Sequence, residues 1–179
     1  MKVTNPATGA VIAEVAADNA AAVRRKYEAA RAGHRRWAAV PVKKRLEAIS
    51  GFRDRVVATQ EKLARTLTQE VGKPIRQSRN ELKGLAGRLD FFIAESARAL
   101  RDEIPLADPG QKLEERISHE ALGVIANISA WNYPYFVGSN VFVPALVAGN
   151  AVLYKPSEFA TLTGRHIADL LHAAGVPDD

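Results

Sequence analysis

The sequence predicts an α/β chain in which N-terminal helices lead into an incomplete parallel sheet, with an edge hairpin strand between them. Three observations carry this prediction. Two short aliphatic runs, Leu122–Ile128 and Ala151–Tyr154, flank a helix-length segment that stops at Gly149-Asn150, the pattern of a βαβ unit. Ahead of them, residues 18–100 place apolar side chains at helical spacing, punctuated by cap and stop signals. Between these regions, Lys112–His119 is polar and alternating, which suits a solvated or edge strand paired with a neighbour. The chain therefore divides into a helical lead over 18–100, a hairpin strand over 111–120 and a βαβα unit over 121–175.

In order along the chain, Asn5-Pro-Ala-Thr-Gly9 has turn composition, and Ala10–Val15 is strand-like. Asp18 or Asn19 can cap a helix from about Ala20 through Trp37, because a short side-chain oxygen satisfies free first-turn amides. Pro41 fits the first turn of the next helix, Lys43–Ala58, whose apolar positions are Leu46, Ile49, Phe52 and Val56. A third helix, about Glu61–Val71, stops at Gly72-Lys73-Pro74. A fourth, from Ile75 to about Leu100, carries Leu82, Leu85, Leu89, Phe92 and Ile93 on one side. Gly84 and Gly87 within it suit close approach of another helix; no preceding strand supports a nucleotide loop there. Pro105–Gly110 reads as a loop. After Glu158, Thr161 is the expected N-cap of a helix bearing Leu162, Ile167, Leu170 and Leu171, stopped by Gly175 and Pro177. Two parallel strands cannot bury both faces of a doubly wound sheet, so the pattern is that of the opening part of a larger α/β protein.

The 179 residues, 47% of them hydrophobic, suffice for one domain with a core. No apolar run reaches spanning length and the first residues lack a signal-peptide pattern, so a cytoplasmic protein without membrane contact is expected. There is no cysteine, which excludes disulfides, thiolate metal sites and a cysteine nucleophile within these residues. His34, His119, His166 and His172 show no i, i+4 metal spacing, and no metal is expected. Hydrolase elbows and phosphate-binding Walker loops are also missing. The net charge of +5 raises nucleic acid as a partner. Much of that excess lies between Arg24 and Arg45, on helical segments that also carry Tyr27, Trp37, Leu46 and Ile49 as an apolar stripe. A solvated helix face is the reading adopted, with no nucleic-acid partner.

Two polar clusters follow the two parallel strands, where open α/β sheets bind ligands. Glu158, past the second strand, can accept hydrogen bonds from both ribose hydroxyls of an adenine dinucleotide and would repel a 2′-phosphate, with Lys155 balancing its charge. Equally, Ser157 and Glu158 can serve as capping residues of a helix-entry loop. Asn132, held between Trp131 and Pro134, can present its carboxamide N–H to a developing oxyanion, or it can satisfy backbone groups in a tight turn.

Asn5-Pro-Ala-Thr-Gly9, Gly72-Lys73-Pro74, Gly123-Val-Ile125, Trp131-Asn-Tyr-Pro134, Pro144-Ala-Leu146, Gly149-Asn150 and Lys155-Pro-Ser-Glu158, in that order and spacing, resemble the aldehyde dehydrogenase superfamily over essentially the whole chain. The resemblance implies the N-terminal part of a Rossmann-like NAD-binding domain, ending before the catalytic cysteine domain. It implies oxidation of an aldehyde to a carboxylic acid with NAD or NADP, through a cysteine thiohemiacetal, hydride transfer and thioester hydrolysis. By the same resemblance Asn132 is the oxyanion-binding asparagine. Lys155, Ser157 and Glu158 lie at the adenine ribose, Ile128, Ser129 and Trp131 lie along the cofactor, and Tyr133, Val137 and Asn140 face the aldehyde tunnel. Glu158 implies NAD over NADP. The polar strand becomes an oligomerisation hairpin, giving a homo-oligomer or a complementing C-terminal segment as partner.

Two departures stand out: Ala130 replaces a frequent proline, and Val141 replaces a frequent lysine, which removes any relay through that lysine. The resemblance places the general-base glutamate and the nucleophilic cysteine beyond Asp179, so the 179 residues alone are expected not to oxidise aldehydes. The rival expectation is a truncated, non-catalytic interaction module exposing apolar surface where a missing domain would pack.

Overall fold

Asn19 opens the first helix by accepting the Ala22 amide on its Oδ1 at 2.9 Å, the bond expected of a capping asparagine. In the computed structural model, which describes residues 1–178, this helix is α1, Ala20–Ala38. It follows an antiparallel ribbon of β1, Lys2–Thr4, and β2, Val11–Glu14. Pro41 precedes α2, Val42–Ala58. Next comes α3, Gln60–Val71, closed by Gly72 in the left-handed conformation at φ 80°, a backbone state that glycine enters without steric cost. Pro74 precedes α4, Ile75–Ala99.

A hairpin follows, β3, Glu103–Asp108, paired antiparallel with β4, Leu113–Ile117. The expected hairpin strand is therefore present, but Pro105–Asp108 belongs to its partner strand and not to a loop. The register shifts between Glu103 and Leu106, and an irregularity in a two-stranded edge ribbon is where proline's missing N–H is tolerated. Asp108 builds the turn by accepting the amides of Gly110 and Gln111.

The βαβα unit consists of β5, Val124–Ile128, α5, Pro134–Val147, β6, Ala151–Lys155, and α6, Thr161–Ala173. Strands β5 and β6 are parallel and in register from Val124–Ala151 to Ile128–Lys155. Asn150 fixes that register: its Oδ1 accepts the Gly123 amide and its Nδ2 donates to the Ala145 carbonyl. The architecture is thus mixed α/β with a parallel pair as its centre.

Helix α5 lies at the middle of the core. Its Tyr135, Phe142, Val143 and Val147 meet Ile49, Phe52 and Val56 of α2, Leu63 and Leu67 of α3, Leu82, Leu85 and Leu89 of α4, and Ile167 and Leu171 of α6 in one buried cluster. At about 0.8 kcal/mol per buried methylene, this cluster is the main favourable term of the fold. Trp37 joins it and donates its indole N–H to the Leu146 carbonyl at 2.8 Å.

Three further expectations are corrected. Tyr27 is exposed, so the buried stripe of α1 consists of Ala30, Gly33 and Trp37. Helix α5 packs on α4 with Phe136 over Gly84, but its approach does not require glycine at Gly84 or Gly87. A methyl at Gly84 would lie in ordinary contact with the Phe136 ring, 3.7 Å away, and one at Gly87 would meet nothing within 4 Å. Thr161 is not an N-cap: α6 follows Ala160, and its amides are capped from a distance, as described below. Among the described residues, no helix is long and apolar enough to cross a membrane.

Candidate functional site at the strand ends

Parallel pairing brings Ile128 directly beside Lys155, so both strands deliver their loops to one edge of the molecule. The Ser129 amide extends the ladder by donating to the Lys155 carbonyl at 3.0 Å. Two loops then leave this edge, Ser129–Tyr133 toward α5 and Pro156–Ala160 toward α6. They touch where the Trp131 and Phe159 rings meet edge to face, with centroids 6.2 Å apart, a favoured geometry for aromatic quadrupoles.

The α6 loop places Lys155 and Glu158 outside and Ser157 inside. Ser157 is buried and accepts the Phe159 amide on its Oγ at 3.2 Å, which shapes the turn. Glu158 is exposed, and its Oε2 lies 3.5 Å from the Lys155 ammonium. The hydrogen bond from its own backbone N–H, followed by the Lys155 charge, holds its carboxyl below the usual glutamate range, so it is an ionised acceptor at neutral pH. Gly164 lets α6 close over this loop, since a Cβ there would stand 2.5 Å from the Pro156 ring.

The α5 loop is held from below. Ser129 is buried beneath exposed Ile128, and Asn127 donates to the Gly138 carbonyl at 3.1 Å, tying β5 to α5. A Cβ at Gly138 would come within 3.2 Å of the Ser129 hydroxyl, so the helix approaches the strand end because it is glycine there. Asn132 is exposed, and its carboxamide has no hydrogen-bond partner among the described residues. Its main-chain carbonyl is fixed, accepting the Lys73 ammonium at 2.7 Å. Tyr133, Val137 and Asn140 are all exposed and fall on one face of α5, the i, i+4, i+7 spacing of a helical stripe.

The sequence reading missed the groups that hold this loop. Lys73 is nearly buried, and its ammonium lies 2.6 Å from the fully buried Glu81 carboxylate and 4.1 Å from the Tyr133 ring centroid. The other Glu81 oxygen accepts the Tyr135 and Phe136 amides at 2.8 and 3.2 Å. Glu81 thus caps α5 from α4, where the helix N-terminus and Lys73 offset its charge. Glu70 does the same for α6, accepting the Thr163 amide at 2.9 Å and the Thr163 hydroxyl at 3.0 Å, and also the Leu162 amide. Burial raises the Glu70 pKa against the pull of those bonds. One signal was available for Glu81: it is a carboxylate on the buried side of α4, beside Ser78, Leu82 and Leu85. Nothing local marks its partner.

A groove of about 250 Å³ runs between α4 and the start of α5, lined by Gln77, Asn80, Glu81, Gly84, Tyr133 and Phe136. It is contiguous with the Asn132 turn through Tyr133. Among the described residues, no group of three or more histidines, aspartates or glutamates is arranged to hold a metal.

The model of the aldehyde dehydrogenase family matches residues 1–179. A 3,6-anhydro-alpha-L-galactose dehydrogenase from Streptomyces coelicolor is 36% identical over 178 residues, covering 99% of this chain and 36% of that protein. The fold is likewise similar to an NAD-dependent benzaldehyde dehydrogenase from Corynebacterium glutamicum, with TM-score 0.90 and 30% identity, over 99% of this chain and 38% of that one. An NADP dependent enzyme from E. coli gives TM-score 0.91 at 28% identity, over 98% and 36%. The chain therefore spans little more than a third of the length of the relatives it matches.

Proposed function

Since the chain belongs to the aldehyde dehydrogenase family, we propose that it forms the N-terminal cofactor-binding part of an NAD-dependent enzyme that oxidises an aldehyde to a carboxylic acid through a cysteine thiohemiacetal. The sequence contains no cysteine, so the thiolate comes from outside these residues, and the 179-residue chain by itself is inactive. The reading rests on the meeting of the two strand-end loops at Trp131 and Phe159. That contact joins the loop that carries Glu158, an ionised acceptor, to the loop that carries the Asn132 carboxamide, which has no hydrogen-bond partner among the described residues.

The donor and acceptor set fits an adenine dinucleotide. Exposed and ionised, Glu158 can accept from two ribose hydroxyls, Lys155 can donate to the same sugar, and buried Ser157 keeps the turn in shape. A 2′-phosphate would meet the Glu158 charge, which supports NAD over NADP. Ile128 and Trp131, 78% and 55% exposed, offer an apolar surface along which a flat cofactor can lie. When bound, NAD supplies the hydride acceptor.

This chain's own chemical contribution is Asn132. Its carbonyl is pinned by Lys73, which leaves the carboxamide free to donate an N–H to the aldehyde oxygen as that oxygen gains charge. Removing one such donor typically costs about 10²–10³ in rate. Tyr133, Val137 and Asn140 present the aldehyde-facing wall. The exposed hairpin β3–β4 is the contact by which the protein forms a homo-oligomer or receives a complementing segment.

The test is a thermal melt of the chain with millimolar NAD or NADP. Ligand present at about 100 times its dissociation constant stabilises by about 2.7 kcal/mol, so a rise with NAD and little with NADP is expected, together with no aldehyde-dependent reduction of NAD. A melt indifferent to both cofactors overturns the cofactor assignment, and aldehyde oxidation by the purified chain overturns the proposed division of labour.

A second reading keeps a specific observation. Ile128 and Phe159 are 78% and 58% exposed, so the same edge suits a non-catalytic interaction module. Indifference to NAD together with saturable binding of a protein partner at this edge would favour it.

A further inference from the structure

A polar pocket of about 310 Å³ lies at the opposite end of β5 from the two loops, between α1 and the residues that lead into the strand. Tyr27, Arg31, His34 and Arg35 line its helix side, and Leu122, Gly123 and Val124 its strand side. The four helix residues recur at i, i+4, i+7 and i+8, which is one face of α1. Tyr27 is exposed because that face looks onto the pocket and not onto the core. From Val124 to Ile128 the strand climbs about 13 Å, at about 3.3 Å per residue, so the pocket is separate from the Glu158 turn.

The pocket carries positive charge that the fold does not balance. Neither Arg31 nor Arg35 has an ion-pair partner among the described residues, and like charges at i, i+4 repel one another on a helix. Glu28 and Glu120, the nearest acids in sequence, are exposed, lie outside the pocket lining and pair with neither arginine. The Nε2 of His34 is buried without a hydrogen-bond partner, so the fold makes no use of that nitrogen. Where α1 ends, the buried Arg45 guanidinium stands beside Gly149 at the foot of β6 and donates to the Trp37 and Ala38 carbonyls. It meets no carboxylate either, so this end of the parallel pair is cationic on both strands.

We infer that the pocket binds a phosphate dianion, free or borne on a small organic body, with Arg31 and Arg35 as the residues that hold it. Two guanidiniums match a dianion in charge, and their planar forks take its oxygens in pairs. The Tyr27 ring and the Leu122 side chain give the organic body of a phosphomonoester an apolar wall. A nucleic-acid backbone would need a longer row of cations, and Arg24 and Arg25 lie outside the pocket lining. The site depends neither on the cofactor edge nor on the aldehyde oxidation proposed above.

The test is an amide-resolved NMR titration of the 179-residue chain with sodium phosphate and with glycerol 3-phosphate, each at an ionic strength held constant with chloride. Millimolar phosphate is expected to shift the amides of Tyr27–Arg35 and Leu122–Val124 and to leave those of Lys155–Phe159 in place. Tighter binding of glycerol 3-phosphate assigns the site to a phosphomonoester, and equal or weaker binding assigns it to free phosphate. The double variant Arg31→Gln, Arg35→Gln weakens binding about tenfold or more, as expected for lost charge-assisted hydrogen bonds, and leaves the NAD-induced rise in melting temperature unchanged. Leu122→Glu, which keeps both arginines and sets a carboxylate in the wall, also removes binding and decides the matter alone if the double variant does not fold.

No shift at these amides, equal shifts when chloride replaces phosphate, or undiminished binding by both variants overturns the inference. A chain that responds to NAD but not to phosphate loses this site and keeps the cofactor edge. One that responds to phosphate in this way but to neither cofactor keeps this site and loses the cofactor assignment.

Discussion

Lys73 and Glu81 show how much a single buried pair can organise. Lys73→Met leaves the Glu81 carboxylate buried without its cation, a loss that typically costs about 3–5 kcal/mol. Denaturant unfolding should show that drop, and the double variant Lys73→Met with Glu81→Leu should recover part of it, because the stranded charge is gone. At the other extreme, Glu158→Gln touches an exposed side chain and should leave the melt of the free chain within about 0.5 kcal/mol while abolishing most of the rise produced by NAD. His166 supplies a pH dependence. Burial first, and the Lys62 ammonium second, hold its pKa below the ordinary imidazole value against the pull of Asp169, and its Nδ1 is buried without a partner. The unfolded chain therefore takes up the proton more readily. The stability that His166 confers is full above about pH 6.5 and is lost as the pH falls toward the depressed folded value. Melts recorded across that window should slope less in His166→Gln than in the parent. Lys155 and Glu158 were legible in the sequence because their place after a strand is local information. Glu81 and Glu70 were not, since the amides they cap lie 54 and 93 residues further on.

At the scale of elements, helix ends were the most legible feature because caps and stops are written next to the segment they bound. Asn19, Pro41, the left-handed Gly72 and Pro74 all stand at the ends of helices α1–α4. Strand β1 was missed, being three residues long with only Val3 buried, too short for any alternation to register. Strand β3 was missed because Pro105 argues against a strand wherever a regular ladder is assumed. Thr161 reads as a cap from composition, yet the capping is done by Glu70 of α3, and the threonine hydroxyl instead faces back to the Ser157 and Glu158 carbonyls. The close seat of α6 on the Pro156 loop gives a prediction at this scale. Gly164→Val drives a side chain into Pro156 and Tyr154, an overpacking that typically costs about 1–3 kcal/mol. Denaturant unfolding should show that loss, and NAD should raise the melt less than in the parent because the Lys155–Glu158 turn is displaced.

At the scale of the whole molecule, one core joins the helical lead to the βαβα unit, and the hairpin stands outside it. Ile104, Leu106, Leu113 and Ile117 on β3 and β4 are all exposed, so replacing Leu106 and Leu113 with threonine should change stability by no more than about 0.5 kcal/mol. If the hairpin forms the oligomer contact, the same substitutions should lower the sedimentation coefficient of the assembled protein. The parallel order of β5 and β6 was legible because two apolar runs separated by a helix admit little else. The exposure of the edge they create was legible only as a shortage of strands.

The long-range caps also bear on how the protein is made. A chain synthesised from its N-terminus completes α3 and α4 well before α5 and α6 exist, so Glu70 and Glu81 spend that interval without the amides they will bind. The helical lead then acts as a waiting template: each later helix finds an anion already placed for its first turn. Nascent chains halted before Tyr135 should accordingly keep the Glu81 carboxylate open to solvent, and those halted after Val147 should protect it.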